Sequence, residues 1–399
     1  MTGEPIRAIA FYLPQFHPIP ENDAWWGKGF TEWTNVVKAK PLFRGHYQPH
    51  LPADLGFYDL RLPEVRQAQV DLAREYGLYG FCYYHYWFNG KRLLHRPFDE
   101  VLASGNPDFP FCLCWANENW TRIWDGGDSE VLMKQTYSEE DDLAHIRWLA
   151  HAFADSRYIR VENKPLFIIY RAHKLPDLLK TTTVWREECR RLGIGEIFLC
   201  RIDTASDTVL PSEAGLDAAV EFQPDWGSLG PVVGSRLRKR FHLDDWRFFM
   251  RWKLLGDDTR VYDYSELVET MSRRPLPPYP RFPCVTPSWD NSPRRRSGAT
   301  VFLGSTPELF ERWLTATLSR AVASDNRPPI LFMNAWNEWG EGNHLEPDQQ
   351  HGRSYLEAVR GAVSSPNRLQ LPLGGFTCSS KGERLTADRY FGPIEPPAN

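Results

Sequence analysis

The 399-residue chain contains no run of eighteen apolar residues, so no segment reads as a membrane-spanning helix. Its opening, MTGEPIRAIAFYLPQF, lacks a basic stretch followed by a long apolar one. No secretory leader is therefore expected, and a cytoplasmic setting is the default expectation. Neither charge dominates: 47 Lys and Arg stand against 51 Asp and Glu, a net charge of -4, without the basic excess of a nucleic-acid binder. Cysteines are few and odd in number, with Cys82, Cys112, Cys114, Cys189, Cys200, Cys284 and Cys378 making seven. Most lie in short apolar runs, where a thiol packs as a small hydrophobe. The Cys112-x-Cys114 spacing has no second pair to complete a zinc motif. Buried, unpaired thiols suit a reducing compartment. No glycine-rich phosphate loop follows the first apolar run, and there is no serine-centred elbow or Walker-type loop. His17, His46, His50 and His85 lack the spacing of a metal motif, so neither metal nor cofactor is expected.

What the chain has in excess is aromatic rings: 16 Trp, 16 Tyr and 23 Phe, 14% of residues. Their positions follow from the element pattern. Apolar runs bounded by turn residues predict strands over Ile6–Leu13, Gly80–Tyr86, Phe111–Trp115, Pro165–Tyr170, Ile197–Ile202, Ala218–Gln223, Phe282–Thr286 and Ile330–Trp336. These runs are near-continuous in apolar residues, as parallel strands buried on both faces must be. Helical stripes lie between them. Val65, Ala68, Leu72, Ala73 and Tyr76 follow Pro63 and precede Gly77. Leu143, Ile146, Leu149, Ala150 and Phe153 follow Ser138, with Asp141 as a capping-box partner. Leu309, Phe310, Trp313, Leu314, Leu318 and Val322 follow Thr306-Pro307.

Strand–helix alternation predicts an α/β fold, a single (β/α)8 TIM-type barrel, over about 1–365. It carries a long first connection through His50 and an insertion, 227–260, between strands six and seven. A Pro- and Gly-rich C-terminal extension, 366–399, is expected to pack on the barrel. The insertion contains Arg236, Arg238, Lys239 and Arg240.

Active sites of such barrels lie at the carboxyl ends of the strands. The first run is followed by Gln15, His17, Trp26, Glu32 and Trp33, and the second ends in Tyr84, His85, Tyr86 and Asn89. The third gives Trp115, Asn117, Glu118 and Trp120, and the fourth Tyr170 and Arg171. The fifth gives Arg201 and Asp203, and the sixth Glu221 and Gln223. The seventh gives Trp289, Asp290 and Asn291, and the eighth Asn334, Trp336, Asn337, Glu338, Trp339 and Glu341, then His344 and Glu346. Aromatic faces beside amides, carboxylates and imidazoles suit sugars, whose apolar C–H faces are ringed by hydroxyls. An oligo- or polysaccharide is thus the expected partner. The expected substrate-binding set is His17, Trp26, Glu32, Tyr84, His85, Trp115, Asn117, Glu118, Arg171, Glu221, Trp289, Asn334, Trp336, Asn337, His344 and Glu346.

Glu338 and Glu341 are the expected catalytic pair. Three residues apart, they can face one cavity if the chain turns after the strand, and Gly340 and Gly342 permit such a turn. Two neighbouring carboxylates repel, which keeps one protonated and the other ionised. Glu118 and Glu221 are weaker candidates that also read as structural carboxylates paired with Arg171 or Arg201. Arg294-Arg295-Arg296 reads either as a solvated run or as a holder for an anionic group.

Four segments carry a family resemblance: Trp25-Trp26-Gly-Lys-Gly-Phe-Thr-Glu32-Trp33, Phe81-Cys-Tyr-Tyr-His85-Tyr-Trp-Phe-Asn89-Gly, Cys114-Trp-Ala-Asn-Glu118-Asn-Trp120 and Asn337-Glu-Trp-Gly-Glu341-Gly. From about residue 6 to 360 the chain resembles the WbsX-like group, described as glycoside hydrolase family 99-like. That resemblance implies a retaining glycosidase acting on α-linked mannose- or rhamnose-like chains. By it, Glu338 is the base acting on the sugar 2-hydroxyl and Glu341 the general acid/base. Gly340 departs from the family 99 pattern, which has a His there. WbsX-like proteins have also been labelled glycosyltransferases, so transfer in surface-polysaccharide assembly is the alternative. A catalytically silent sugar binder is the third, and it would not need two carboxylates.

Overall fold

A computed structural model describes residues 5–122, 127–204, 206–230, 232, 259–324 and 329–364. Its centre is a nearly closed barrel of parallel strands: β1 (Arg7–Tyr12), β2 (Gly80–Phe88), β3 (Phe111–Trp115), β4 (Lys164–Ile169), β5 (Phe198–Ile202), β6 (Ala218–Val220), β7 (Arg281–Phe282 and Cys284–Val285) and β8 (Ile330–Met333). Each pairs with the next, and β1 closes the ring on β8, with Ile9 opposite both Gly80 and Phe332. The eight expected strands are thus present in the expected order. β7 differs in being split. Its first piece pairs with β6 and its second with β8. Pro283 lies between them and has no N–H to donate, while its carbonyl accepts from Phe332 N–H. The strands are buried almost throughout, as runs without polar alternation require.

Helices fill the connections except that between β5 and β6, which carries only the short 3-10 turn Pro211–Ala214: α1 (Pro63–Glu75), α2 (Arg96–Ser104), α3 (Glu139–Phe153), α4 (Leu178–Arg191), α5 (Tyr264–Ser272), α6 (Pro307–Ser324) and α7 (Ser354–Val363). Two details differ from expectation. On α1, Ala68 is exposed, whereas Arg66 and Gln69 are buried beside Val70, Leu72 and Ala73. On α3, Ser138 Oγ accepts from Asp141 N–H at 3.2 Å, but the Asp141 carboxylate turns inward to accept from Trp87 Nε1 and does not complete a capping box.

The long first connection carries a short helix, Pro20–Trp26, and one further turn, Trp33–Val36. Beyond β6 the sequence pattern missed a two-stranded parallel sheet, Arg260–Asp263 with Thr300–Leu303, set outside the barrel. Arg236, Arg238, Lys239 and Arg240 of the insertion, and the C-terminal extension 366–399, lie outside the described residues. Among the described residues six cysteines are buried. Among the described residues no helix is long and apolar enough to cross a membrane.

Candidate active site at the carboxyl ends of β1, β2 and β8

After β8 the chain continues its pairing with β1 by other means. Trp336 N–H donates to Phe11 O, and the Asn337 side chain accepts from Leu13 N–H at 2.7 Å and donates to Leu13 O at 3.0 Å. An amide side chain here does the work of a strand residue and fixes where the next residue points. Asn337–Glu338 then pairs antiparallel with Asn343–His344 across the turn Trp339–Glu341. Gly342 closes that turn at φ 55°, in the left-handed region that favours glycine. Asp290 buttresses it, its N–H donating to Glu341 O at 2.6 Å. Asp290 is itself held by His46 and Gln48, each 2.6 Å from its Oδ2.

Glu338 and Glu341 meet on one guanidinium. Arg294 places Nη2 2.7 Å from Glu338 Oε2, Nη1 2.8 Å from Glu341 Oε1 and Nε 2.6 Å from Glu32 Oε1. Glu32 is fully buried, and of the three carboxylates Glu341 is the most open, its side chain 23% exposed against 7% for Glu338. Three acids facing one cation leave unbalanced negative charge. Burial first, then repulsion within the cluster, pushes the Glu338 and Glu341 carboxyls up from their ordinary range, while Arg294 pulls them down. Glu338 and Glu341 thus have the perturbed carboxyls that acid–base sites use. For the run Arg294-Arg295-Arg296 the sequence pattern allows a solvated face or an anion holder. Arg294 is neither solvated nor an open anion holder, because its Nε, Nη1 and Nη2 each meet one of the three glutamates.

Tyr84, Tyr86 and Tyr170 surround the cluster. The phenol of Tyr84 feels the charges of Glu338 and Glu341, that of Tyr86 Glu338 and Glu32, and that of Tyr170 Glu341. Tyr170 also carries the Arg171 guanidinium 4.2 Å from its ring centroid. Arg171 and Lys174 pair with Glu118 at 3.0 and 3.1 Å, and the Asn117 amide holds the Arg171 backbone on both sides. Trp26 is half-buried at the rim, near Arg122.

Several expected site residues are placed elsewhere. Trp115 is completely buried, its Nε1 donating to Trp87 O and its ring against His145 and Trp185 of the flanking helices. Trp336 is equally buried, against Phe81. His85 stacks on Trp148 and lies 3.0 Å from His145, both on α3. These three rings face the barrel's outer layer and correct the expectation of a sugar platform there. Strand alternation is the reason: neighbours point to opposite faces, so Tyr84 and Tyr86 turn inward only if His85 turns outward. Glu221 pairs with Arg274 and Arg281 and lines a cavity of about 450 Å³ with Pro329 and Ile330, beside the starting ends of β7 and β8. Arg201 takes Asp203 as its partner, not Glu221.

The remaining candidates brace the loops. Buried His17, its imidazole pushed down to about 4 by desolvation, has Asp59, Arg61 and Arg96 as its charged neighbours. Trp289 packs edge-on against Trp226, and Asn334 Nδ2 donates to Gln223 O. Glu346 is wholly buried, accepting from Tyr58 Oη, Gln69 Nε2 and Trp339 Nε1. His344 stacks on Trp339, centroids 3.7 Å apart. Reading the sequence missed Arg294, Tyr86 and Tyr170 as site members. Gly340 was the available signal for Arg294, since the missing side chain makes room for the Glu32–Arg294 pair.

Comparison with known proteins agrees with this architecture. The chain resembles a glycoside hydrolase-like protein of solved structure, with a TM-score of 0.56 at 15% identity over 91% of this chain and 95% of that one. It also resembles the GH99 endo-α-mannosidase from Bacteroides thetaiotaomicron, with a TM-score of 0.54 at 14% identity over 91% and 98% of the two chains. At such identities the likeness is one of fold. The protein WxcX from Xanthomonas campestris pv. campestris (strain B100) is 47% identical over 363 residues, 90% of this chain and 50% of that protein. The chain therefore spans about half the length of this curated relative. The family described as Glycosyltransferase WbsX matches residues 8–359, and the chain belongs to that family.

Proposed function

We propose that the chain is a retaining glycoside hydrolase acting on α-linked mannose- or rhamnose-like oligo- or polysaccharide. The observation that carries this is the sharing of Arg294 by Glu338 and Glu341, which seats two carboxyls, both raised by burial, side by side in a tyrosine-lined barrel mouth. A conventional retaining pair stands about 5–5.5 Å apart on opposite sides of the scissile bond. Two side chains on one turn, bonded to one guanidinium, approach the sugar from the same side. That arrangement fits a reaction in which the sugar supplies its own nucleophile.

In this reading the more exposed Glu341 protonates the leaving oxygen. Glu338 takes the proton of the 2-hydroxyl, whose oxygen displaces the leaving group at the anomeric carbon to give an epoxide. Water, deprotonated by Glu341, opens the epoxide at the anomeric carbon, the former 2-oxygen recovers its proton from Glu338, and two inversions give net retention. The route needs the 2-oxygen anti to the leaving group, which α-manno and α-rhamno sugars provide. The endo-α-mannosidase of like fold supports the same substrate class.

The alternative of glycosyl transfer is favoured by the family's description. It requires a cationic holder for a diphosphate, and Arg294 is already engaged by three glutamates. Incubating the purified protein with α-mannans and α-rhamnans, without any sugar nucleotide, separates the two. Release of oligosaccharides whose first-formed anomer is α supports retaining hydrolysis. No release, together with turnover that depends on an activated sugar donor, overturns it.

A further inference from the structure

Beside the glutamate cluster, and separate from it, three side chains meet that the proposed chemistry does not use. His50 Nδ1 lies 3.0 Å from His344 Nε2. With a carboxylate oxygen of Asp348 they form a set whose donor atoms all fall within 4.8 Å of one another. All three line a cavity of about 220 Å³, together with Tyr47 and Asp290. We propose that His50, His344 and Asp348 bind one divalent transition-metal ion of the zinc class, with a remaining coordination position open to this cavity.

The set is oriented before any ion arrives. His344 Nδ1 faces Glu346 O at 2.9 Å, so Nδ1 carries the proton and the Nε2 lone pair points at His50. This is the backbone hydrogen bond that fixes the tautomer of metal-binding histidines. Trp339, stacked on the His344 ring at 13°, fixes its plane, and Tyr47 stacks on His50 at 4.4 Å. Asp348 Oδ1 accepts from the N–H groups of Gln350 at 3.0 Å and His351 at 2.6 Å, which sets the carboxylate. Two imidazoles and one carboxylate around an open position form a donor set suited to zinc and its neighbours. Metal–ligand bonds of about 2.0–2.1 Å put tetrahedral ligand atoms roughly 3.3 Å apart. The His50–His344 edge, 3.0 Å, is already close to that, and the edges to Asp348 lie within 4.8 Å.

The ion would join the first connection of the barrel to the turn that carries Glu338, since His344 pairs with Asn337 in that hairpin. His50 and His344 are 294 positions apart in the chain, so such a clip would restrain the loops on which the glutamates sit. A plain hydrogen bond between the two imidazoles would need neither Asp348 nor the cavity, and the test turns on that difference.

The full chain, stripped with a chelator, is titrated with Zn²⁺ and with Co²⁺. Metal content is measured after desalting, Co²⁺ coordination by its visible absorption, and folding by circular dichroism. The expected result is one ion per chain, with affinity reduced at least about tenfold in both His50→Ala and Asp348→Asn. Asp348→Asn keeps the oxygen that receives the two backbone N–H groups, and His50→Gln replaces His50→Ala should the latter not fold. Absence of stoichiometric binding, or unchanged affinity in either variant, overturns the site. Because the readout is metal bound and not sugar cleaved, its failure leaves the hydrolase reading standing, and the reverse holds too.

Discussion

A Cβ placed on Gly340 would lie 1.7 Å from Glu32 Oε1 and 2.7 Å from Arg294 Nε. Gly340 does not have the positive φ of its neighbour Gly342, so space and not backbone freedom requires glycine here. The Glu32–Arg294 pair occupies the volume that a side chain on the turn would fill. Gly340→Ala should therefore push Glu32 off Arg294 and release the clamp on Glu338 and Glu341. Overpacking of this kind costs about 1–3 kcal/mol, so a lowered Tm and a fall in kcat/KM should appear together. An alanine variant with wild-type Tm and activity would show that the clamp is not needed.

Arg294 itself offers a sharper test. Breaking a buried ion pair by removing one partner costs about 3–5 kcal/mol, because the other charge stays buried and unpaired. Arg294→Met should destabilise by that order, and adding Glu32→Gln, which removes one of the stranded carboxylates, should restore part of it. Losing the cation also raises the Glu338 and Glu341 carboxyls further. The acid limb of the kcat/KM profile, which reports ionisation of the base, should then move to higher pH. A destabilised variant with an unmoved profile would assign Arg294 a purely structural part.

Glu338 should leave a mark on stability as well as on rate. Burial and its acidic neighbours push its carboxyl from the ordinary 4.5 to about 8, so the folded protein holds this proton more tightly than the unfolded chain does. The stabilisation is complete below the unfolded value and disappears as pH rises through the folded one. Glu338→Gln, which cannot ionise, should gain Tm relative to the wild type as pH rises from about 5 to about 9. Glu346, pushed up to about 7 by burial, contributes the same sign in both proteins and cancels from the difference. A Tm difference that does not change with pH would mean Glu338 is ionised throughout.

The barrel was legible because apolar runs that do not alternate have one economical fate, a parallel strand covered on both faces. Pro283 broke β7 where a pattern of apolar residues reads straight through, since proline is apolar but cannot donate. The glutamate pair was legible from its spacing and glycines. Its clamp was not, because Glu32 and Arg294 are brought together by the fold across 262 positions. Side-chain direction at strand ends was the main loss. Tyr84 and His85 both looked like ligand contacts, and the cross-strand pairing of His85 with Trp115 places the latter two together on the helix-facing side.

The two glutamates have different proposed tasks, and substrates can be chosen that need only one of them. Glu341→Gln removes the proton for the leaving oxygen, a loss of roughly 10²–10⁴-fold on natural glycosides. An activated aryl leaving group departs without that proton, so its cleavage should be largely spared. Glu338→Gln removes the base for the 2-hydroxyl, and a good leaving group should give no relief, because the missing step is formation of the nucleophile. A 2-deoxy or 2-O-methyl substrate should be inert with the wild-type protein for the same reason. If such a substrate is turned over, or if a 2-fluoro donor leaves a sugar covalently attached to Glu118 or Glu221, a protein carboxylate is the nucleophile. Glu221 is poorly placed for that, paired as it is with Arg274 and Arg281, and Glu118 would first have to leave Arg171 and Lys174. The contrast between the two glutamine variants on activated and natural substrates therefore tests the assignment of acid and base in one experiment, and equal losses for both variants on both substrates would overturn it.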